Sequence, residues 1–306
     1  MRLRADRVEL SAPSSITHLG SGEGAFSAAL NLREQVTLRA TAGTTRVIVE
    51  GEGKDSDPRD DTHPIIRGLR RGLEAAGAPQ VGVYLHLVSA TSRDTGLGAT
   101  TTHLLLGLQA AATLVGGGSV LTADMQRDLA IKMGADPLRI PVVTNGGAAL
   151  TYLPRQSISL RPPPLVAPVT FTPGFTAPPD SGSPPAMLTA SEAALQSSRA
   201  GLLALLLGGV EVADSTEQFY QLLLQATSAA PSRAQTAEEI PAAASLTRWL
   251  REREVPAFIT GRGPTVVSLT VVADSLVASA ERSGWTVAQC RIDQRGMEIA
   301  AATPTV

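Results

Sequence analysis

The chain has 306 residues, 43% of them hydrophobic, with a net charge of −2 and one cysteine. That length supports a sizeable core in one large or two medium domains. The near-neutral charge argues against a nucleic-acid partner, and Cys290 alone excludes an intramolecular disulfide or a cysteine-based zinc site.

No charged-then-apolar leader is present, and no apolar run approaches the roughly 18 residues of a spanning helix. A cytoplasmic protein without membrane contact is expected. The alternation in residues 1–12 and 34–50 predicts strands. Between them Pro13 to Asn31, PSSITHLGSGEGAFSAALN, reads as a small-residue loop leading into a short apolar helix. Gly53 to Asp61 is a charged turn. Ile65 to Ala76 has helical spacing with Gly77 as its stop, and Val81 to Val88 alternates again.

Thr91 to Leu114, TSRDTGLGATTTHLLLGLQAAATL, is the most informative stretch. A turn at Gly96-Leu97-Gly98 opens an apolar helix and is followed by Thr100, Thr101 and Thr102. Such a helix start leaves backbone N–H groups unpaired, and the helix dipole adds roughly half a positive charge, a combination that suits phosphate. An ordinary capped helix after a surface loop has the same local pattern. Thr122 to Met133 is helical with Thr122 as its cap, and a strand around Val142 to Leu153 closes the first half.

Composition shifts near Pro154, which sets the expected boundary between domains 1–154 and 155–306. The proline-rich segment from Leu160 to Pro185 holds a strand, Val166 to Phe171, and a loop, Thr176 to Pro185, placed to act as a lid. Helices follow at Ser191 to Leu207, Thr216 to Thr227 and Pro241 to Arg253. Pro256 to Val272 reads as strand–turn–strand around Gly261-Arg262-Gly263-Pro264-Thr265. Ala273 to Ser283 is helical. Trp285 to Ile292 and Met297 to Ala301 read as a closing hairpin, and Cys290 as a buried small hydrophobe. Mixed strands and helices without a βαβ repeat predict an α+β fold. The four histidines, His18, His63, His86 and His103, lack close metal-ligand spacing.

Three of these segments resemble the motifs of the GHMP kinases, most closely in the homoserine-kinase branch. PSSITHLGSGEGAFSAALN is similar to PATSANLGPGFDxLGLALN, TGLGATTTHLLLGLQAA to RGLGSSAAxxxxGLxAA, and TGRGPTVVSL to SGAGPTVLAL. The likeness covers most of residues 8–272, in order and at the family's spacing. It implies two α+β halves, one like ribosomal S5 domain 2 and one ferredoxin-like. It implies ATP and Mg²⁺, a small-molecule hydroxyl acceptor, homoserine in threonine biosynthesis, and a homodimer; the leucine run of Leu202 to Leu207 itself reads as a core-facing helix, with a dimer surface as its second reading. Thr100 matches the magnesium-binding hydroxyl. His63, Arg93, Gly96, Leu97, Gly98, Ala99, Thr100 and Thr101 match ATP-binding positions. Arg199 matches the arginine that binds the amino-acid substrate, and His18, Gly261, Arg262 and Gly263 fall on further substrate positions.

The departures from the family pattern are equally specific. The substrate-binding asparagine of the first motif is His18, and the aspartate that pairs with the substrate amine falls on Gly24, with Glu23 beside it. The EGHPDN segment falls on KMGADPLR, which puts Met133 or Gly134 in place of the magnesium glutamate and leaves Asp136 as the nearest carboxylate. The HQPYR patch is absent apart from Arg233, and Arg262 replaces a small residue. Two further functions therefore stand beside homoserine phosphorylation: a kinase for another small alcohol, and a degenerate kinase fold that binds nucleotide or a partner.

Overall fold

The computed structural model describes residues 2–21, 24–153, 155–175, 187–229 and 238–304. The amino-terminal half is built on two long antiparallel strands, β1 (Ala5–Thr17) and β2 (Phe26–Thr41). They pair from Arg7↔Arg39 to Thr17↔Ser27, with a register shift between Pro13 and Ser14, where proline supplies no ladder N–H. The helix expected before Asn31 is therefore part of a strand. The first five residues of β2, Phe26 to Leu30, are all buried, so they read as an apolar run rather than an alternation. The period was hidden by burial on both faces.

β3 (Arg46–Gly51) lies parallel to β4 (Gly82–Ser89), which pairs with the second half of β2. Two helices cover this sheet: α1 (Pro64–Ala75), amphipathic, and α2 (Ala99–Leu114), apolar all round and almost wholly buried. They cross at Gly68 and Gly107. A methyl on Gly107 would overlap the Ile65 carbonyl, and one on Gly68 the Leu104 carbonyl. This close approach fixes α2, and with it the glycine turn at its start.

α3 (Ala123–Lys132) is capped as expected by the Thr122 side chain, which accepts from Met125 N. The strand expected over Val142 to Leu153 is a short helix, α4 (Ile140–Asn145), followed by β5 (Ala148–Leu153). Pro141 suits the first turn of a helix, and Gly146 and Gly147, both at positive φ, end it. β5 pairs with β2 and with β6 (Gln156–Leu160).

In the carboxyl-terminal half β7 (Val169–Pro173), β8 (Ala257–Ile259), β9 (Val266–Ser268) and β10 (Trp285–Gln289) form a second sheet in the order β10-β7-β9-β8. Its helices are α5 (Ala190–Leu207), α6 (Thr216–Ala226), α7 (Pro241–Arg251) and α8 (Asp274–Arg282). α5 opens with a capping box, Thr189 and Glu192. Leu203, Leu206 and Leu207 of α5 join Phe219 and Leu223 of α6 in one apolar cluster with Ile16, Leu19, Phe26, Leu97 and Phe258. That cluster joins the halves.

The closing hairpin does not form. β10 pairs with β7, whereas β11 (Glu298–Pro304) pairs with β1 at the edge of the first sheet. The segment between them crosses β2 through Asn31 N to Arg291 O (3.0 Å) and Asp293 N to Ala29 O (3.0 Å). Local alternation could not reveal those distant partners. Among the described residues no helix is long and apolar enough to cross a membrane. The proposed lid, Thr176 to Pro185, lies outside the described residues, as do Glu23, Pro154 and Arg233.

Candidate active site

Three glycine loops, far apart in sequence, meet at the start of α2. Gly96 and Gly98 have φ of 86° and 84°, and Gly98, the N-cap, offers no side-chain hydrogen bond. The first-turn amides and the positive end of the helix dipole are left for another acceptor. Leu97 O accepts from Ser15 N (3.0 Å), Thr17 O from Gly261 N (3.1 Å) and Thr95 O from Thr265 N (3.3 Å). Thr17 and Thr260 are joined twice more through the Thr260 hydroxyl, at 3.1 Å each. The expected positions Gly96, Leu97, Gly98, Ala99, Gly261 and Gly263 are thus brought together. Arg262 stands exposed between Gly261 and Gly263.

The three threonines of the first turn differ. Thr101 Oγ1 accepts from Asp136 N (3.0 Å), and Thr102 Oγ1 donates to Pro13 O (3.3 Å). Thr100 is half-buried, and its hydroxyl makes no hydrogen bond among the described residues. Its hydroxyl is the one left for a ligand.

Arg139, met in the sequence only as the last residue of the KMGADPLR stretch, lies at the centre of the junction. It is 5% exposed. Its Nη1 donates to Ser15 O and to Ser15 Oγ (3.2 Å), its Nη2 to Gly96 O (2.8 Å), and its Nε pairs with Asp136 Oδ2 (3.3 Å). Burial lowers the guanidinium pKa, and the Asp136 charge opposes that shift. A Cβ on Gly98 would lie 2.6 Å from Nη1, and one on Gly261 2.6 Å from Nη2. Both glycines have positive φ, 84° and 55°, so a side chain there would be strained as well as pressed against the guanidinium.

Among the described residues, those at the glycine turn do not fit a protein-held magnesium ion. Such an ion needs several oxygens, carboxylates foremost. Met133 packs against the amino-terminal core, and Gly134 has no donor side chain. Asp136, the remaining candidate, accepts from Leu138 N (2.9 Å) through Oδ1 and pairs with Arg139 through Oδ2.

Two cavities flank the junction. One, of about 520 Å³, is lined by His18, Gly20, Arg248, Arg251, Glu252 and Phe258 among others. His18 has φ 58°, and its Nδ1 lies 3.2 Å from Thr17 Oγ1. A Cβ on Gly24 would be 2.7 Å from His18 Nε2, so the imidazole occupies the space of the side chain that Gly24 lacks. Arg251 donates to Leu224 O (2.5 Å), Ala257 O (3.0 Å) and Ser228 Oγ (2.9 Å). Burial first and the charge of Arg199 second push its pKa down to about 10. Arg199 is close enough to repel the Arg251 charge but is not among the described residues that line the cavity, and Arg248 and Arg251 are cations the sequence reading missed; their spacing on one helical face is the signal that was available. The other cavity, of about 570 Å³, lies between Glu52, Ser56, Thr91 and Thr95 on one side and Thr172, Phe175 and Thr286 on the other.

Behind the glycine turn Glu34, Asp57, His63 and His103 form a sealed cluster. His103 Nε2 is 3.3 Å from Glu34 Oε2, and its Nδ1 is 3.8 Å from Asp57 Oδ1, which Arg93 Nε also approaches to 3.8 Å. His63 stacks on His103 with 5.3 Å between ring centroids. Burial raises the Asp57 pKa and, with the charges of His103 and Arg93, lowers that of His63 to about 3. Ligand atoms of Asp57, His63 and His103 lie within 4.8 Å of one another. His63 Nδ1, however, accepts from Ile65 N (3.1 Å), so in the neutral ring Nε2 carries the proton and has no lone pair for a metal. His63 is fully buried, a cap for α1 rather than part of a cavity wall.

No protein-family model matches the sequence. The chain is 27% identical over 303 residues to homoserine kinase of Streptomyces avermitilis, covering 97% of this chain and 96% of that relative. The crystal structure of homoserine kinase from Cytophaga hutchinsonii superposes with a TM-score of 0.78 at 17% identity, covering 96% of this chain and 97% of that one. A mevalonate kinase structure superposes with a TM-score of 0.58 at 12% identity, covering 94% and 99%. The chain has the α+β fold of the GHMP kinases, and its sequence is most similar to the homoserine kinases.

Proposed function

We propose that the protein transfers the γ-phosphoryl group of ATP to the side-chain hydroxyl of homoserine, in the cytoplasm. The observation that carries this reading is the meeting of three glycine loops at the uncapped start of α2, with a cavity on either side. The first-turn amides and the Thr100 hydroxyl face the phosphates. The 570 Å³ cavity takes the nucleoside. In the 520 Å³ cavity Arg248 and Arg251 face the acceptor's carboxylate, and Glu252, on the same wall, faces its ammonium group. Glu252 thereby replaces the aspartate lost at Gly24. Catalysis is positioning of the hydroxyl in line with the phosphoryl group and stabilisation of its charge. Magnesium enters as the counter-ion of ATP, and no step is assigned to a protein-held ion.

The experiment is coupled ADP release with ATP, Mg²⁺ and L-homoserine, with Thr100→Ala as control. Release that depends on homoserine and is lost in Thr100→Ala supports the reading. Folded protein that binds ATP but releases no ADP overturns it. One observation favours a second acceptor: His18 fills the space beside Gly24 where the family places its amine-binding aspartate. ADP release with small alcohols that lack an amine, and not with homoserine, would establish that alternative.

A further inference from the structure

We propose that the buried guanidinium of Arg139 is the resident cation of the phosphate site and takes the place of a divalent metal ion, for which the described residues at the glycine turn offer no ligand set. The inference rests on a phosphate group binding at the glycine turn.

Arg139 is held as a bound cation would be. Its shell consists of the carbonyl oxygens of Ser15 and Gly96, the hydroxyl of Ser15 and one carboxylate oxygen of Asp136. These come from the end of β1, from the glycine turn and from the turn before α4. The guanidinium also touches the third loop at Gly261. The turn that carries it is tied to the first turn of α2 by the bond from Asp136 N to Thr101 Oγ1 (3.0 Å). Its position relative to the unpaired amides is therefore fixed.

A guanidinium has five N–H groups. The contacts named above engage Nε, both protons of Nη1 and one of Nη2, leaving one Nη2 proton beside the glycine turn. The only acid paired with Arg139 among the described residues is Asp136, whose side chain is 32% exposed. Its charge is screened on one side by water, so positive charge at the enclosed junction is incompletely cancelled. The same place receives the positive end of the α2 dipole. An anion is the complement of that pair, and a planar cation suits phosphate oxygens. A divalent ion at the same point would meet a fixed like charge, and the family's carboxylate is replaced by Met133 or Gly134. On this reading the cation at the site is covalently attached to the chain rather than mobile.

The test uses no acceptor alcohol, so inactivity toward homoserine leaves it intact. Binding of ATP and of inorganic tripolyphosphate is measured calorimetrically on the full chain, in Mg²⁺ and in EDTA. Wild type, Arg139→Gln, Arg139→Lys and Asp136→Asn are compared, with melting curves to report folding. Removing metal is expected to change wild-type affinity for tripolyphosphate by less than about threefold, and Arg139→Gln to weaken it about tenfold or more, with part restored in Arg139→Lys. Asp136→Asn, which removes the countercharge, is expected to tighten it. If Arg139→Gln fails to fold, the metal comparison and Asp136→Asn decide. Wild-type binding that is lost in EDTA, binding by folded Arg139→Gln equal to wild type, weaker binding by Asp136→Asn, or no binding of either ligand by wild type each overturns the proposal.

Discussion

Arg33 and Asp293, separated by 260 positions in the chain, meet in a hydrogen-bonded ion pair of 2.5 Å. The same guanidinium reaches Ser11 Oγ (2.8 Å), Gly296 O (2.8 Å) and Glu298 Oε2 (2.8 Å). Asp293 is 2% exposed at its side chain and Glu298 39%. Removing the arginine strands a buried carboxylate. Arg33→Ala is expected to lower unfolding free energy by about 3 kcal/mol or more, whereas Glu298→Gln should change it by less than about 1 kcal/mol. Urea unfolding separates the two, and equal effects would contradict the assignment.

Stability should depend on pH through His63. Its pKa falls from 6.5 to about 3 on folding, so between those values the unfolded chain binds a proton that the folded chain does not. The contribution is fully present above pH 6.5 and is lost as pH falls, by up to about 1.4 kcal/mol per pH unit. Asp57 acts in the opposite sense, because its raised pKa lets the folded chain take up a proton first as pH falls. Unfolding measured at pH 7 and pH 5 should show a steeper loss in wild type than in His63→Gln. Parallel losses would remove His63 from the account.

Adjacent threonines should separate function from folding. Thr100→Ala is expected to leave the melting temperature within about 1 °C of wild type, since no bond is lost, and to lower turnover at least tenfold. Thr101→Ala removes the acceptor for Asp136 N and should cost about 1–2 kcal/mol of stability. A Thr100→Ala protein with full turnover would mean that this hydroxyl does not face the phosphates.

Gly107→Ala tests the crossing that positions α2. Helix propensity alone favours alanine by about 1 kcal/mol. Here the methyl would overlap the Ile65 carbonyl, and the backbones must separate. A net loss of about 1–3 kcal/mol is expected, with weaker nucleotide binding as the glycine turn shifts. Greater helical stability without loss of binding would show that the crossing tolerates a side chain.

What the sequence disclosed followed the range of the interactions. The α1 stop at Gly77, the Thr122 cap and the strand–turn–strand around Gly261 depend on neighbours within a few residues, and all were readable. Phe26 to Leu30 was misread because burial on both faces removes the alternation that identifies a strand. β10 and β11 were paired with each other because their real neighbours, β7 and β1, lie far away in the chain. At the site the glycine turns were legible as motifs. Arg139 was not: an arginine after Asp136-Pro137-Leu138 looks like a surface residue, and only the fold shows it enclosed by three loops. His63 and His103 were likewise 40 positions apart with no spacing to connect them, yet the α1–α2 crossing stacks them.

Because β11 pairs with β1, the sheet that leads into the glycine turn has an unpaired edge until residues 298–304 have been synthesised. Residues 5–17 leave the ribosome well before residues 298–304, and their outer neighbour does not exist until Pro304 has cleared the exit tunnel. Through that interval the nascent protein exposes an open strand edge, the kind of surface that chaperones shield. The amino-terminal sheet is therefore completed only when the strand 298–304 arrives, so this half of the protein cannot finish folding before the other half has been made.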